Sequence, residues 1–188
     1  MFLERLKDFN KHIEECHYTT PNGSLDHKEA LQHSVDLLHQ TRDNGGIVYV
    51  VGNGGSAGIA SHFHTDLLKG LEIPSQTLYD ANLVTCLGND YGYEHIFSSP
   101  LKLMIKPQDM LVAISSSGKS LNIINAANTA KEKGAKVLTM SGFDPKNPLR
   151  SLGDLNCYLS SFEYGLVEMG HFFLLHTITD YIHQCRKK

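Results

Sequence analysis

His62 and Asp66 stand four residues apart, shortly after the run Val48-Tyr-Val-Val-Gly-Asn-Gly-Gly-Ser56. On a helix that spacing puts both side chains on one face, where they suit a metal ion or an acid–base pair. Glycines at 52, 54 and 55 let the backbone approach a ligand closely and adopt positive φ. A helix opening at this turn presents free N–H groups and the positive end of its dipole, both favouring an anion. An anion cradle and reactive side chains on one element point to an enzyme acting on a phosphorylated small molecule.

A second strand–turn–helix layout follows at Leu111-Val-Ala-Ile-Ser-Ser-Ser-Gly-Lys-Ser120, with hydroxyls in place of glycines. Ser115, Ser116, Ser117 and Ser120 around Gly118 offer side-chain and backbone donors to the oxygens of one phosphate. The blander reading, a Ser/Gly turn with an N-cap, explains one or two hydroxyls but not four in six residues. Gly118-Lys119-Ser120 resembles the end of a P-loop, yet that motif needs a Gly where Ala113 stands. Gly52 to Ala57 also satisfies a loose dinucleotide fingerprint, with Asp80 as ribose-binding acid. A dinucleotide enzyme has no need of the Ser loop; a sugar-phosphate enzyme needs both.

The elements that must carry these loops follow from periodicity. Phe2, Leu3, Leu6, Phe9 and Ile13 form a helical stripe over residues 1–16. Residues 18–24 read as a loop from their Pro, Asn and Gly, and a second helix runs to about Asp43, ending at Asn44-Gly45-Gly46. Apolar runs at 47–51, 75–79, 110–114, 136–140 and, more weakly, 156–159 predict strands. Helical stretches begin at Ser56, Glu94 and Lys119, and a long final helix covers 167–184. This alternation predicts an α/β fold: a three-layer α/β/α sandwich with a central parallel sheet and two N-terminal helices. One domain is expected over 1–188, with a helical part at 1–45 and an α/β core at 46–188.

Bulk properties fit a soluble, cytoplasmic globular protein. The chain has 188 residues, 41% hydrophobic and 20% charged, with a formal net charge of −3. That charge leaves no electrostatic footprint for nucleic acid. No apolar run of membrane-spanning length and no N-terminal signal segment is present, so neither nucleic acid nor membrane is expected as a partner. The cysteines, Cys16, Cys86, Cys157 and Cys185, are widely spaced and read as reduced thiols.

Gly52-Asn-Gly-Gly-Ser56, His62-Phe63, Gly88-Asn-Asp-Tyr-Gly92 and Ile114-Ser-Ser-Ser-Gly-Lys-Ser120 together resemble the sugar-isomerase (SIS) domain, in its phosphoheptose isomerase branch. The resemblance runs over nearly the whole chain and implies a flavodoxin-like fold. It also implies a homotetramer with active sites built partly from neighbouring subunits, and a bound Zn²⁺. The implied reaction converts D-sedoheptulose 7-phosphate to D-glycero-D-manno-heptose 7-phosphate. Carried over by position, Asn53, Gly54, Gly55, Ser56, Asn89 and Asp90 contact the sugar, and Ser115, Ser116, Ser117 and Ser120 hold the phosphate. His62, Asp66, Glu168 and His176 form the metal set, with Asp66 and Glu168 also against the substrate. Asp66 and His176 are the catalytic pair.

The match departs from the family at several positions. Asp66 falls where the family usually has Glu, Glu168 where it usually has Gln, and Ile59 and Gly165 where Asp is frequent. Shortening the base by one methylene matters, since a misplacement near 1 Å costs about a hundredfold in rate. Glu168 and His176 are two helical turns apart, about 12 Å along the axis. His171, one turn after Glu168, competes with His176; periodicity leaves both open, and the family match favours His176. Tyr164, His64 and His95 read as structural or surface residues. Two other classes stay in view: a non-catalytic SIS module that senses a sugar phosphate or binds a protein, and an isomerase of another phosphosugar.

Overall fold

A computed structural model describes residues 1–186. Seven strands form one sheet: β1 (His17–Thr20), β2 (Gly23–Leu25), β3 (Val48–Val51), β4 (Ser75–Thr77), β5 (Met110–Ser115), β6 (Lys136–Gly142) and β7 (Leu155–Leu159). Seven α-helices accompany them: α1 (Phe2–Glu14), α2 (His27–Asp43), α3 (Gly55–Thr65), α4 (Ala81–Tyr91), α5 (Ser98–Met104), α6 (Leu121–Glu132) and α7 (Tyr164–Arg186). The sheet order is β2-β1-β7-β6-β5-β3-β4. Strands β3 to β7 run parallel, and every residue of β3, β5 and β7 is buried. Such unbroken apolar runs are what a sheet covered on both faces requires.

Counting only the parallel strands, the order is the 2-1-3-4-5 of flavodoxin-like folds, as expected. Helices α2, α3 and α7 bury Leu38, Phe63 and Leu175 against one face. Helices α5 and α6 bury Leu101, Ile123 and Ala127 against the other, with α4 packed at its margin. Each fully buried Leu, Ile or Phe contributes roughly 1.5–3 kcal/mol. The strand ends that carry the loops are therefore held far more firmly than the loops could hold themselves.

Three expectations need correction. Residues 18–24 are not a loop: β1 and β2 form a hairpin that pairs antiparallel with β7, Tyr18 opposite Cys157. Aromatic and β-branched Tyr18, Thr19 and Thr20 fit a pleated surface, and their Pro and Gly neighbours only mark the turn. The part before residue 46 is therefore not purely helical. Helix α4 was not foreseen; Asp80 caps it, its carboxylate accepting from Leu83 N at 2.9 Å, rather than waiting for a ribose. The stretch from Glu94 gives a short 3-10 turn before α5.

Helix α1 lies outside the sandwich, its Phe9 edge-on to Phe173 of α7 with ring centroids 5.8 Å apart. It buries no residue of its own and leaves Phe2, Leu3 and Leu6 exposed.

Candidate active site

Strand β3 pairs with β4 on one side and β5 on the other, so the chain leaves β3 and β5 in opposite directions. Helix α3 goes to one face and α6 to the other, and a crevice opens at the carboxyl ends of the two strands. Both glycine- and serine-rich loops stand there.

The first loop is shaped by missing side chains. Gly54 has φ 53, a region that penalises any side chain. A Cβ at Gly55 would overlap the Glu168 carboxylate, so the acid from α7 lies directly on the first turn of α3. Tyr79, at the end of the β4 segment, clamps Gly52: its hydroxyl accepts from Gly52 N at 2.7 Å and donates to Gly52 O at 3.1 Å. Burial pushes the Tyr79 hydroxyl well above its usual range, so it stays protonated and keeps both bonds.

The second loop is lined by hydroxyls. Gly118 turns with φ 61, and a Cβ there would run into the buried Asn147 side chain. Ser115 donates to Ser120 at 3.3 Å. The Ser116 hydroxyl is buried and has no partner, which costs about 1–3 kcal/mol unless a ligand supplies one. Together the loops enclose a cavity of about 120 Å³ lined by Asn53, Ser56, Ser115, Ser116, Ser117 and Ser120, with Tyr164 and Glu168 completing its wall. Its hydroxyls and adjoining helix N-termini suit an oxyanion such as a phosphate.

Farther along α3 stands the reactive group. Asp66 Oδ2 lies 3.6 Å from His62 Nε2 and 3.5 Å from His176 Nδ1. The imidazoles are 4.9 Å apart by centroids, and Phe172 packs edge-on against both. At Asp66 the helix widens into a π turn over Asp66–Gly70, with Leu71 N bonding Asp66 O at 3.1 Å. Such turns are frequent at functional sites, because the extra residue re-aims the side chains around it. One ligand atom from each of His62, Asp66 and His176 falls within 4.8 Å of the others. Two imidazoles and a carboxylate form a donor set that fits zinc.

His62, Asp66 and His176 therefore come together, whereas Glu168 stands with the serines at Gly55. His171 is fully buried, its Nε2 3.2 Å from Ser141 O, and burial lowers its pKa to about 4. It is a core residue, and His176 is the helix α7 histidine at the site. Asn89 and Asp90 lie at the exposed end of α4, where Asn89 Nδ2 donates to Asp90 Oδ1 at 2.8 Å; neither lines the cavity. Tyr164, read from sequence as structural or surface, lines the cavity. His64 instead ties α3 to β4 through Ser75 Oγ at 2.8 Å.

Asn122, Tyr93 and Tyr79 escaped sequence reasoning. Asn122 pairs with Asn53 across the crevice, and Tyr93 donates to Asn53 Oδ1 at 3.2 Å. An Asn at a core position of α6, beside Ile123 and Ala126, was the available signal.

A fold of this order with a hydroxyl-lined cradle at its switch point fits a protein that takes a phosphorylated ligand, and the comparisons point the same way. The chain belongs to the SIS domain family, which matches residues 12–142. Within it, the phosphoheptose isomerase of Campylobacter concisus is 33% identical over 179 residues, 92% of this chain and 94% of the relative. A phosphoheptose isomerase structure from Neisseria gonorrhoeae superposes with TM-score 0.80 at 28% identity, covering 97% of this chain and 99% of that one. One from Francisella tularensis gives 0.79 at 26% identity, covering 97% and 95%. The chain is an isomerase of the phosphosugar class.

Proposed function

We propose that this chain interconverts D-sedoheptulose 7-phosphate and D-glycero-D-manno-heptose 7-phosphate. The observation that carries the reading is the separation of cradle from reactive group. Glu168 at the cradle and His176 at the trio are about 12 Å apart along α7. An open seven-carbon chain from phosphorus to C1 spans about 10 Å, at the ~1.2 Å per bond of an extended chain. With the phosphate among Ser115, Ser116, Ser117 and Ser120, C1 and C2 fall within reach of Asp66 and His176. The curated relatives named phosphoheptose isomerase support the same sugar.

Asp66 takes the proton from C1 and passes it to the C2 oxygen, giving an enediol and freeing the carboxylate. His176 delivers a proton to C2, through Nε2 because its Nδ1 faces Asp66, and is reprotonated by the C1 hydroxyl as that group becomes the aldehyde. Phe172 shields both imidazoles and helps keep water from the enediol. His62, Asp66 and His176 would hold a zinc ion, which when bound would supply a Lewis acid that polarises the substrate's oxygens, whereas Glu168, the fourth ligand the resemblance implies, stands at the cradle. Asn53, Gly54, Gly55 and Ser56 bracket the phosphate end. Asn89 and Asp90 serve the sugar in the assembled enzyme.

A homotetramer fits the same reading. The exposed Phe2, Leu3 and Leu6 of α1, with Met169 and Phe173 of α7, form an apolar face that further copies would cover. The free thiols Cys16, Cys86, Cys157 and Cys185 support a cytoplasmic setting.

The test is NMR-monitored incubation of zinc-loaded protein with sedoheptulose 7-phosphate, with Asp66→Asn as control. Conversion to the manno-heptose phosphate, lost in the variant, is expected. Binding without conversion overturns the reading in favour of another phosphosugar or a sensor, and conversion undiminished in the variant removes Asp66 as the base.

A further inference from the structure

The Asn53 amide is locked from two sides. Asn53 Nδ2 donates to Asn122 Oδ1 at 2.9 Å, and Asn122 Nδ2 donates back to Asn53 Oδ1 at 2.9 Å. Tyr93 donates its hydroxyl to the same Asn53 Oδ1 at 3.2 Å. Asn122 is only 2% exposed and reaches across from the first turn of α6, so the pair ties the glycine loop to the helix that follows the serine loop. Tyr93 is itself held in place by its segment, since Asn125 of α6 donates to Glu94 O at 3.0 Å.

An amide has two donor hydrogens and two acceptor lone pairs. Asn122 and Tyr93 occupy both lone pairs of Asn53 Oδ1, and Asn122 takes one of the two N–H groups. What Asn53 has left, on the wall of the serine-lined cavity, is a single N–H. Freed from its partners, the amide could equally turn its oxygen toward the cavity, and that oxygen would repel an anion.

We propose that Asn122, assisted by Tyr93, is a positioning residue that fixes the polarity of Asn53, so that this side chain meets the phosphate with an N–H donor rather than an acceptor. The proposal rests on reading the serine cradle as the phosphate subsite of the isomerase. Neither Asn122 nor Tyr93 needs to touch the ligand. A hydrogen bond to a charged group is stronger than one between neutral groups, so losing its orientation is a measurable loss of binding.

The probe is inorganic phosphate, titrated calorimetrically into the intact protein, with melting temperature followed in parallel. Asn122→Ala is expected to weaken phosphate binding about tenfold. In an Asn53→Ala background the same substitution should have no further effect, because it acts only through Asn53. In turnover, KM for the sugar phosphate should rise while kcat stays within about twofold. Tyr93→Phe, at a residue 57% exposed, removes one of the two donors to Oδ1 and should weaken binding two- to threefold, again only when Asn53 is present. This variant decides the matter if Asn122→Ala does not fold.

Equal losses with and without Asn53 would make Asn122 a general structural residue and overturn the proposal. Unchanged phosphate binding in both variants would do the same. A wild type that binds phosphate but converts no heptose phosphate overturns the proposed reaction instead, and the phosphate titrations still decide the role of Asn122.

Discussion

The cradle and the His–Asp–His trio sit at opposite ends of one site and are built in different ways. The cradle is made of loops held by buried strands, with Gly52 clamped by Tyr79 and Gly118 packed on Asn147. The trio is made of side chains on two helices, α3 and α7, which are 27–48% exposed and whose closest polar contacts are 3.5–3.6 Å. Those separations exceed a formed hydrogen bond. The cradle is preorganised by backbone, whereas the trio stands open. On the proposed reading an anion would meet a finished site, and a metal or substrate would have to draw the trio together.

The largest expected effect falls on the trio. Asp66→Asn should lower turnover by about 10²–10⁴-fold, the usual worth of a positioned general base, while inorganic phosphate affinity stays within twofold. Loss of both together would mean that the two ends are not independent. Gly118→Ala tests the other end. It forces a side chain into positive φ and displaces the buried Asn147, for a combined cost of roughly 2–4 kcal/mol in stability. A denaturant melt unchanged by this substitution would show that the cradle is not backbone-shaped.

His171 sharpens the contrast because it shares α7 with His176 but belongs to the core. Its folded pKa, about 4, lies below the ~6.5 of an unfolded histidine, so the unfolded chain binds the extra proton between those values. Stability is therefore full above about pH 6.5 and is lost as pH falls toward 4, by roughly 3 kcal/mol. His171→Gln should flatten that slope by about one proton in pH-dependent unfolding; an unaltered slope would place the acid sensitivity elsewhere.

The smallest effect has opposite signs in two assays. Ser116→Ala removes a buried hydroxyl that lacks a partner, so the melting temperature of the free protein should hold or rise. Phosphate affinity should nevertheless fall about five- to tenfold. A variant that loses stability without losing affinity would mean that Ser116 has a structural bond rather than a ligand.

The parts of this molecule legible in the sequence are those that local pattern controls. Unbroken apolar runs gave the parallel strands, and the two Gly- and Ser-rich turns after them marked the cradle. The i, i+4 spacing of His62 and Asp66 placed them on one helix face. What was missed depends on partners remote in sequence. The hairpin at residues 18–24 exists because β7 offers Tyr18 and Thr19 a pairing edge. The polarity of Asn53 is set by Asn122, 69 residues away.

Residue type and spacing alone left His171 and His176 equivalent; the family resemblance favoured His176, and the packing of α7 on the sheet separated the two physically. That packing buried one against Ser141 and stood the other beside Asp66. It also laid Glu168 on Gly55, a contact between segments more than a hundred residues apart. Sequence determined which groups were available, because strand, turn and helix are written in neighbouring residues. Tertiary structure decided which of them meet, because burial and contact across the crevice belong to the packed chain as a whole.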